Sequence, residues 1–360
     1  MIFGMDNEKI NSLGAIHTSN EIKHQPKLWE ETFKIIFDRK QDVEIFLKKF
    51  LKKECRVILT GAGTSAYIGD VIYLYLRKKL GLCVESIATT DIVGAFDLFQ
   101  ENVKNINHIV ITCNDEGELF KKANSMDNAL CLLMPELSND KSFAMTSSFT
   151  CMLVASLLIF NINDLQEHKK YLDIVVEKSN YIIEESWRDV QELVDLKCER
   201  VVYLGSGIFK GLAQEMALKN LELTSGKIVS VCESILGFRH GPKSITNDNT
   251  LIICMNSIND YTNLYDVDLI REISGDFGNH KLAVISYTKN ETLKNIVDKY
   301  IEINGENVPE IYTIFNYILF GQIFGLLNSI SLGISPDNPR PDGTVNRVVK
   351  GVTIHKYFKN

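Results

Sequence analysis

The pattern of apolar and polar positions changes abruptly early in the chain. Residues 27–52 carry apolar side chains at helical spacing, with Pro26 near the start, which predicts helices. The next run, 56–60, is short, apolar and rich in β-branched residues, which is typical of a buried strand. It leads into a glycine turn, 61–65, and then into a helical pattern that ends near Arg77. We therefore expect an N-terminal helical segment over 1–52, followed by a strand–turn–helix unit.

The same strand–turn–helix pattern occurs a second time. An apolar run over 200–204 is followed by Gly205-Ser206-Gly207 and by a helical pattern from about Lys210 to Leu223. Aligned on Gly61 and Gly205, the two copies lie 144 residues apart (205 less 61), which indicates a duplicated domain. We expect a first domain over 53–164, a linking helix over 165–196, and a second domain with the C-terminal tail over 197–360.

Both copies continue with apolar runs that alternate with helical stretches. The candidate strands are 84–88, 109–113 and 129–134 in the first copy, and 227–232, 251–255, 282–287 and 300–303 in the second. Such alternation predicts an α/β fold with two tandem doubly wound parallel sheets. The tail from Ser335 is rich in Pro, Gly, Asp and Asn, which predicts a loop followed by a short helix near Val345.

Composition and charge argue against two classes of function, nucleic-acid binding and membrane insertion. The chain has 45% hydrophobic and 24% charged residues and a net charge of −7, an acidic balance that argues against nucleic acid as a partner. A small anion remains possible, because a few backbone N–H groups and one or two cations can hold it. The longest apolar stretch, 152–160, is too short to cross a membrane, and the N-terminus lacks a signal-peptide pattern. We predict a cytoplasmic protein without a membrane partner.

The eight cysteines indicate no metal or redox chemistry. None of them forms a C-x-x-C pair, and several lie inside apolar runs, so we interpret them as reduced, buried thiols in a reducing compartment. We expect neither a metal site nor a cofactor.

The two glycine turns are candidate anion sites. Glycine lets the backbone approach a ligand, and the helix N-terminus that follows offers unpaired N–H groups. In the first turn, Gly61 and Gly63 are followed by Thr64 and Ser65, whose hydroxyls suit a phosphate or a sugar. The second turn, Gly205-Ser206-Gly207, binds a ligand or serves only close helix–strand packing. A dinucleotide is not favoured, since G-x-G-x-x-G and an acidic residue at the ribose spacing are both absent.

The second copy carries the densest set of chemical groups. Glu215, Lys219 and Glu222 lie at i, i+4 and i+7 and hence on one helix face, either as a reactive set or as a solvated ion pair. The loop 237–244, which also contains glycine and proline, places three basic side chains within five residues: Arg239, His240 and Lys243. Carboxylate, imidazole and cation together are what the enolisation of a sugar phosphate requires.

These segments resemble the sugar isomerase (SIS) domain superfamily, and most of all the tagatose-6-phosphate ketose/aldose isomerase family, whose members are also galactosamine-6-phosphate deaminases. The matching segments span nearly the whole chain: 18–22 with Gln25-Pro26 and Trp29, 61–65, 88–91, 142–149, 237–244 and 343–349. More distantly, the chain is similar to the isomerase half of glucosamine-6-phosphate synthase, whose helix pattern E-x-x-x-K-x-x-E matches Glu215, Lys219 and Glu222.

The resemblance implies specific roles. Glu222 would move a proton between sugar carbons, His240 would assist ring opening, and Lys219 and Glu215 would tune Glu222. Residues implied to contact the substrate are Gly61, Gly63, Thr64, Ser65, Ser147, Gly205, Ser206, Arg239, Lys243 and Lys350, the last matching a tail lysine. A homodimer is implied as well, because related enzymes bring the histidine loop of one subunit over the site of the other.

One departure from the family concerns phosphate binding. The family has a strand that ends in S-G-N-S, whose hydroxyls and amides cradle the phosphate, and this chain has no such motif. Only 20 residues separate Ala88 from Ile109, whereas 49 separate Cys232 from Leu282 in the second copy. We therefore predict that the first domain lacks a strand, a helix and the phosphate loop. The competing interpretation is an impaired or non-catalytic sugar-phosphate sensor that acts through a protein partner.

Overall fold

The computed structural model describes residues 1–99, 106–305, 307–349 and 351–357. The N-terminal segment forms three helices: α1 (Asn7–Ser12), α2 (Ile16–Asp38) and α3 (Lys40–Phe50). Helix α2 begins ten residues before Pro26, so the expectation that this proline lies near the start of a helix is wrong. Pro26 has no backbone N–H that could donate to the carbonyl of Ile22. This carbonyl instead accepts a hydrogen bond from Gln25 Nε2 at 3.3 Å, and the helix continues through the proline.

The first lobe, residues 53–164, contains four strands in two separate parallel pairs. Strand β1 pairs with β2, and β3 pairs with β4. The elements in chain order are β1 (Arg56–Leu59), α4 (Thr64–Leu80), β2 (Cys83–Ser86), α5 (Thr89–Gly94), α6 (Phe96–Phe99), β3 (His108–Thr112), α7 (Glu118–Asn124), β4 (Ala129–Leu133) and α8 (Ser147–Ile159).

The second lobe, from residue 197 onwards, contains one five-stranded parallel sheet with the order β6-β5-β7-β8-β9. Its elements are β5 (Arg200–Gly205), α11 (Ile208–Leu223), β6 (Val229–Glu233), α12 (Ile235–Phe238), β7 (Thr250–Met255), α13 (Asp260–Ser274), β8 (Lys281–Ser286), α14 (Glu291–Lys294), β9 (Lys299–Glu302) and α15 (Glu310–Ser331). The predicted α/β fold class with parallel sheets is confirmed, since every predicted strand is present within two residues of its expected bounds.

The strand orders explain why the sheet of the first lobe is split. The pairs β1-β2 and β5-β6 correspond through the two glycine turns, and β3-β4 corresponds to β8-β9 at the end of each unit. What the first lobe lacks among its described residues is a counterpart of β7, the central strand of the second sheet. The short connection between Ala88 and Ile109 therefore removes the middle of the sheet rather than an edge, and two parallel pairs remain.

The stretch predicted as a linking helix consists of α9 (Leu165–Tyr181), a π-helical turn (Ile182–Ser186) and α10 (Trp187–Asp195). These helices pack against α15, which also packs against α11. Contrary to the expectation that 152–160 is the longest apolar stretch, α15 has 22 residues and is apolar enough to cross a membrane. Because 94% of the most apolar 18-residue stretch of α15 is buried inside the protein, we interpret this helix as the central core helix.

The C-terminal tail follows α15 as irregular chain, so the predicted short helix near Val345 is wrong. Gly343 has a φ of 74°, which a helix cannot accommodate, and Arg347 donates instead to the backbone carbonyls of Asp140 and Ser142. Near the start of the tail, Asp337 accepts hydrogen bonds from the backbone N–H groups of His17 and Thr18 at the N-terminus of α2. These contacts fix the tail to the N-terminal helices and to the first lobe.

Candidate active site

The first glycine turn is an open loop at the carboxyl end of β1. A Cβ atom at Gly61 would lie 2.6 Å from the backbone of Ser65, and Gly63 has a φ of 55°, so both positions need glycine. Among the contacts of the described residues, the backbone N–H groups of Ala62, Gly63 and Thr64 have no hydrogen-bond partner. Together with the N-terminus of α4, they offer several donors to an anion.

A close crossing of two helices brings the two lobes together at this turn. A Cβ atom at Gly211 on α11 would lie 2.6 Å from the backbone of Asp70 and Val71 on α4, so glycine permits the close approach. The crossing places the side chain of Lys219 beside the first turn, where its Nζ donates to Thr64 Oγ1 at 3.0 Å. The sequence motif of the first copy and the charged helix of the second copy therefore form one site.

Lys219 is fully buried between two carboxylates of its own helix. Its Nζ lies 2.7 Å from Glu222 Oε2 and 3.5 Å from Glu215 Oε1. Burial works against the charged amine, but the two carboxylates outweigh it and raise the pKa of Lys219 above its ordinary value. Burial raises the pKa of Glu215 above its ordinary value, and the nearby Lys219 ammonium opposes part of that rise. The arrangement excludes the solvated ion pair that the i, i+4 spacing left open.

Glu222 is the member of this set that a ligand can reach. Its side chain is 26% exposed, whereas Lys219 and Glu215 are completely buried. The Lys219 ammonium holds one carboxylate oxygen, and the other has no hydrogen bond or ion pair among the described residues. A carboxylate that is fixed on one side and open on the other can accept and return a proton on a bound molecule.

The second glycine turn has the same backbone as the first but different surroundings. Gly207 has φ 57° and ψ −118°, against 55° and −130° at Gly63, and a Cβ atom at Gly205 would lie 2.5 Å from Phe209. The Ser206 hydroxyl donates to Asp266 Oδ1 at 2.6 Å. Burial raises the pKa of Asp266 to about 6, which leaves it mostly ionised at neutral pH. A carboxylate at this turn disfavours an anion, so the packing alternative fits Gly205 and Ser206 better than substrate binding.

The basic loop 237–244 makes its ion pairs with helix α13. Arg239 Nε and Lys243 Nζ bind the carboxylate of Glu272 on α13 at 2.6 and 2.7 Å, and Lys243 also binds Asp276. Hydrogen bonding from Lys243 lowers the pKa of Glu272. His240 is exposed, and no described contact joins it to α4 or α11. Among the described residues, no hydrogen bond or ion pair joins Arg239, His240 or Lys243 to the Lys219 set within one subunit.

Ser147 belongs to a buried polar network rather than to an open surface. Its hydroxyl donates to the Glu21 carbonyl and lies 2.7 Å from His24 Nε2, while Asp140 accepts from the N–H groups of Thr146, Ser147 and Ser148. Burial and the Asp140 charge raise the pKa of Glu21 to about 7. The sequence analysis missed this network, although Ser and Thr at the start of α8 are a capping signal. Lys350 lies outside the described residues.

The acidic, imidazole and sulfur-bearing side chains of the described residues form no candidate metal site. In the ranges that the structure describes, no three His, Cys, Asp or Glu residues are grouped so that they could hold a metal ion.

Comparison with known proteins places this geometry in a family. No protein-family model matches the chain. The D-galactosamine-6-phosphate deaminase AgaS of Shewanella sp. (strain ANA-3) is 36% identical to it, over 98% of this chain and 95% of the relative. The chain belongs to the AgaS family.

Two solved structures have the same fold. One is assigned as a tagatose-6-phosphate ketose/aldose isomerase from Clostridium novyi NT, with a TM-score of 0.96, 38% identity and 99% of both chains covered. The other is tagatose-6-phosphate ketose/aldose isomerase from Escherichia coli, with a TM-score of 0.83, 31% identity, and 94% of this chain and 96% of that chain covered. The predicted resemblance to the family is confirmed.

The alignment with the Shewanella AgaS is longer than this chain. It spans 383 positions, whereas the present chain has 360 residues, so at least 23 aligned positions (383 less 360) are gaps in this chain. A loss of that size is about what a strand with its following turn and helix needs.

Proposed function

We propose that this member of the AgaS family is an aldose–ketose isomerase and deaminase of amino-sugar or sugar 6-phosphates, of the galactosamine-6-phosphate to tagatose-6-phosphate type. The observation that carries the proposal is the partly exposed Glu222 carboxylate, fixed by the buried Lys219 beside the first glycine turn. The names of the Shewanella and Escherichia coli relatives support the substrate class.

In the proposed reaction, Glu222 removes the proton from carbon 2 of the open-chain sugar and returns it to carbon 1. The intermediate is an enediol for a neutral sugar and an enolamine for an amino sugar. With an amino sugar the product is a ketimine, which water hydrolyses to ketose phosphate and ammonia. The Lys219 ammonium orients the Glu222 carboxylate, and the buried Glu215 lies on the other side of this ammonium.

The open turn at Gly61, Gly63, Thr64 and Ser65 supplies backbone and hydroxyl donors for the substrate. Thr64 acts indirectly, because its hydroxyl accepts from Lys219. Neither a metal nor a cofactor is needed for the proposed proton transfer.

We further propose a homodimer in which His240 of one subunit reaches the Glu222 site of the other and assists ring opening. The exposed position of His240, without a described contact to α4 or α11, supports a partner site for this loop. Sedimentation at micromolar concentration should give a dimer, and a monomer with normal turnover would contradict this part of the proposal.

The test is turnover of galactosamine-6-phosphate by the purified protein, followed by ammonia release. Glu222→Gln keeps the size of the side chain but cannot accept a proton, so we expect turnover to fall by about 10²–10⁴-fold. Glu192→Gln, on the surface of α10, is the matched control and should not change the rate. Near-normal turnover by Glu222→Gln would show that another group is the base.

The second candidate function is a non-catalytic or impaired sugar-phosphate-binding protein. The split sheet of the first lobe favours it, because the missing central strand is the one that carries the phosphate loop in the family. Undetectable turnover of galactosamine-6-phosphate, together with measurable binding of the sugar phosphate, would favour this candidate over the enzyme.

A further inference from the structure

Glu215 is a buried carboxyl group that lacks hydrogen-bond donors. It is completely buried on α11, and neither of its side-chain oxygens has a hydrogen bond of ordinary geometry among the described residues. Burial raises the pKa of Glu215, and the contacts from Lys219 and Thr64 oppose only part of this rise. Because a buried carboxyl group without donors is costly, the structure should hold a further donor near Glu215.

The crossing of α4 and α11 is fixed by two contacts. Near the start of α4, Thr64 accepts a hydrogen bond from Lys219, which lies near the end of α11. Seven residues further along α4, the backbone at Val71 lies against Gly211, which lies near the start of α11. The two helices therefore run antiparallel where they meet, and residues midway between the contacts on one helix face those midway on the other.

Tyr67 is the residue of α4 that faces Glu215. Positions 64, 67 and 71 share one face of α4, and positions 211, 215 and 219 share one face of α11. The Tyr67 phenol therefore lies opposite the Glu215 carboxyl group. Burial raises the pKa of Tyr67, and among the neighbouring charges Glu215 contributes most to this rise. The other titratable groups that face Tyr67 are Cys232 on β6, Asp70 on α4 and Lys219 on α11.

The Tyr67 hydroxyl is available as the missing donor. The ring of Tyr67 packs against the main core, but the side chain is only half-buried. Among the described residues, the hydroxyl has no hydrogen-bond partner. Tyr75, two turns further along α4, differs because its hydroxyl donates to Asn161 Oδ1 at 3.1 Å. An unpaired donor on α4 thus faces an unpaired, buried acceptor on α11.

We propose that Tyr67 is a positioning residue of the Glu222 site, and that its phenol donates to the buried Glu215 carboxylate directly or through one water molecule. This bond favours the ionised form of Glu215, which keeps the Lys219 ammonium charged between its two carboxylates. The ammonium in turn holds Glu222 in place. Tyr67 thus acts on the base through two other side chains and does not touch the substrate. Its role in catalysis rests on the proposed function, whereas its bond to Glu215 does not.

The first test follows the ionisation of Glu215 by the NMR resonance of its carboxyl carbon, in the unchanged protein and in Tyr67→Phe. A hydrogen bond to the ionised form lowers the pKa of a carboxyl group, so its loss should raise the pKa of Glu215 by about one unit or more. Tyr75→Phe removes a phenol from the same helix away from Glu215, and in this control the pKa of Glu215 should not change. An equal pKa of Glu215 in the unchanged protein and in Tyr67→Phe would overturn the proposal.

Turnover of galactosamine-6-phosphate provides the second test. Because Tyr67 acts through Glu215 and Lys219, Tyr67→Phe should lower kcat about tenfold, the value of one hydrogen bond, and leave KM unchanged. Tyr75→Phe should change neither constant. A higher KM with an unchanged kcat in Tyr67→Phe would show that Tyr67 binds the substrate, which contradicts a positioning role. If the unchanged protein has no turnover, the proposed function fails, and the titration of Glu215, which needs no substrate, decides whether Tyr67 bonds to it.

Discussion

Helices α4 and α11 occupy equivalent positions in the two lobes, yet they carry different chemistry. With the register of 144 residues, Glu215 and Lys219 on α11 correspond to Val71 and Tyr75 on α4. In the preceding turns the relation is reversed, since Thr64 and Ser65 correspond to the apolar Ile208 and Phe209. One copy thus supplies hydroxyls at an open turn, and the other supplies buried charges. Because the helices cross closely at Gly211, the two specialised halves form one site.

The sheets of the two lobes also differ, because one is continuous and the other is split into two pairs. The second lobe has its central strand and a fully buried β7, whereas the first lobe has two separate pairs whose strands are only partly buried. A sheet that loses an edge strand keeps its other pairings, but a sheet that loses its middle strand loses two ladders at once. The first lobe keeps its form because α4 and α8 belong to the core shared with α2, α11 and α15.

The largest effect that we expect in this comparison comes from the buried charge on α11. Lys219→Met should destabilise the protein by about 3–5 kcal/mol, because it leaves the buried Glu215 and the neighbouring Glu222 without their ammonium. The measurement is urea unfolding at pH 7.5. Lys210→Met, on the same helix with a side chain 55% exposed and a Glu233 partner at 3.4 Å, should cost less than about 1 kcal/mol. Equal losses in the two variants would show that burial of Lys219 contributes nothing.

The sequence predicted most of the fold, because glycine turns, apolar runs and the duplicated register are local signals. It also placed Glu215, Lys219 and Glu222 on one helix face. It could not show that Lys219 reaches Thr64, since this contact depends on the crossing of α4 and α11 at Gly211. It also could not show that Asp266 holds Ser206, because the two lie 60 residues apart and no local pattern joins them.

The next effect concerns the missing strand. A phosphate that loses two charge-assisted hydrogen bonds, each worth about 1.5–3 kcal/mol, binds about a hundredfold or more weakly. We expect calorimetric titration with tagatose-6-phosphate to give weak or undetectable binding. A chimera with a strand and an S-G-N-S loop inserted between Val93 and Phe96 should gain about that factor.

Two results would contradict this account of the first lobe. Tight binding of tagatose-6-phosphate by the unmodified protein would mean that other groups, such as Lys243 or residues near Ser147, replace the phosphate loop. A chimera that folds but binds no better would mean that the phosphate lies elsewhere. A second chimera with S-G-N-S changed to A-G-A-A separates the effect of the restored strand from that of the loop.

The smallest effect distinguishes the two glycine turns directly. The Ser65 hydroxyl has no partner among the described residues, whereas the Ser206 hydroxyl is held by Asp266 at 2.6 Å. Ser65→Ala should therefore weaken tagatose-6-phosphate binding up to about tenfold, the value of one hydrogen bond, and leave the free energy of unfolding unchanged. Ser206→Ala should leave the dissociation constant unchanged and cost about 1 kcal/mol of stability, because a partly buried hydrogen bond is lost. Both variants are measured by calorimetry and urea unfolding in whichever chain, original or chimera, binds the sugar phosphate. If Ser206→Ala weakens binding as much as Ser65→Ala does, the second turn also contacts the substrate, and the Asp266 carboxylate does not keep anions away from it.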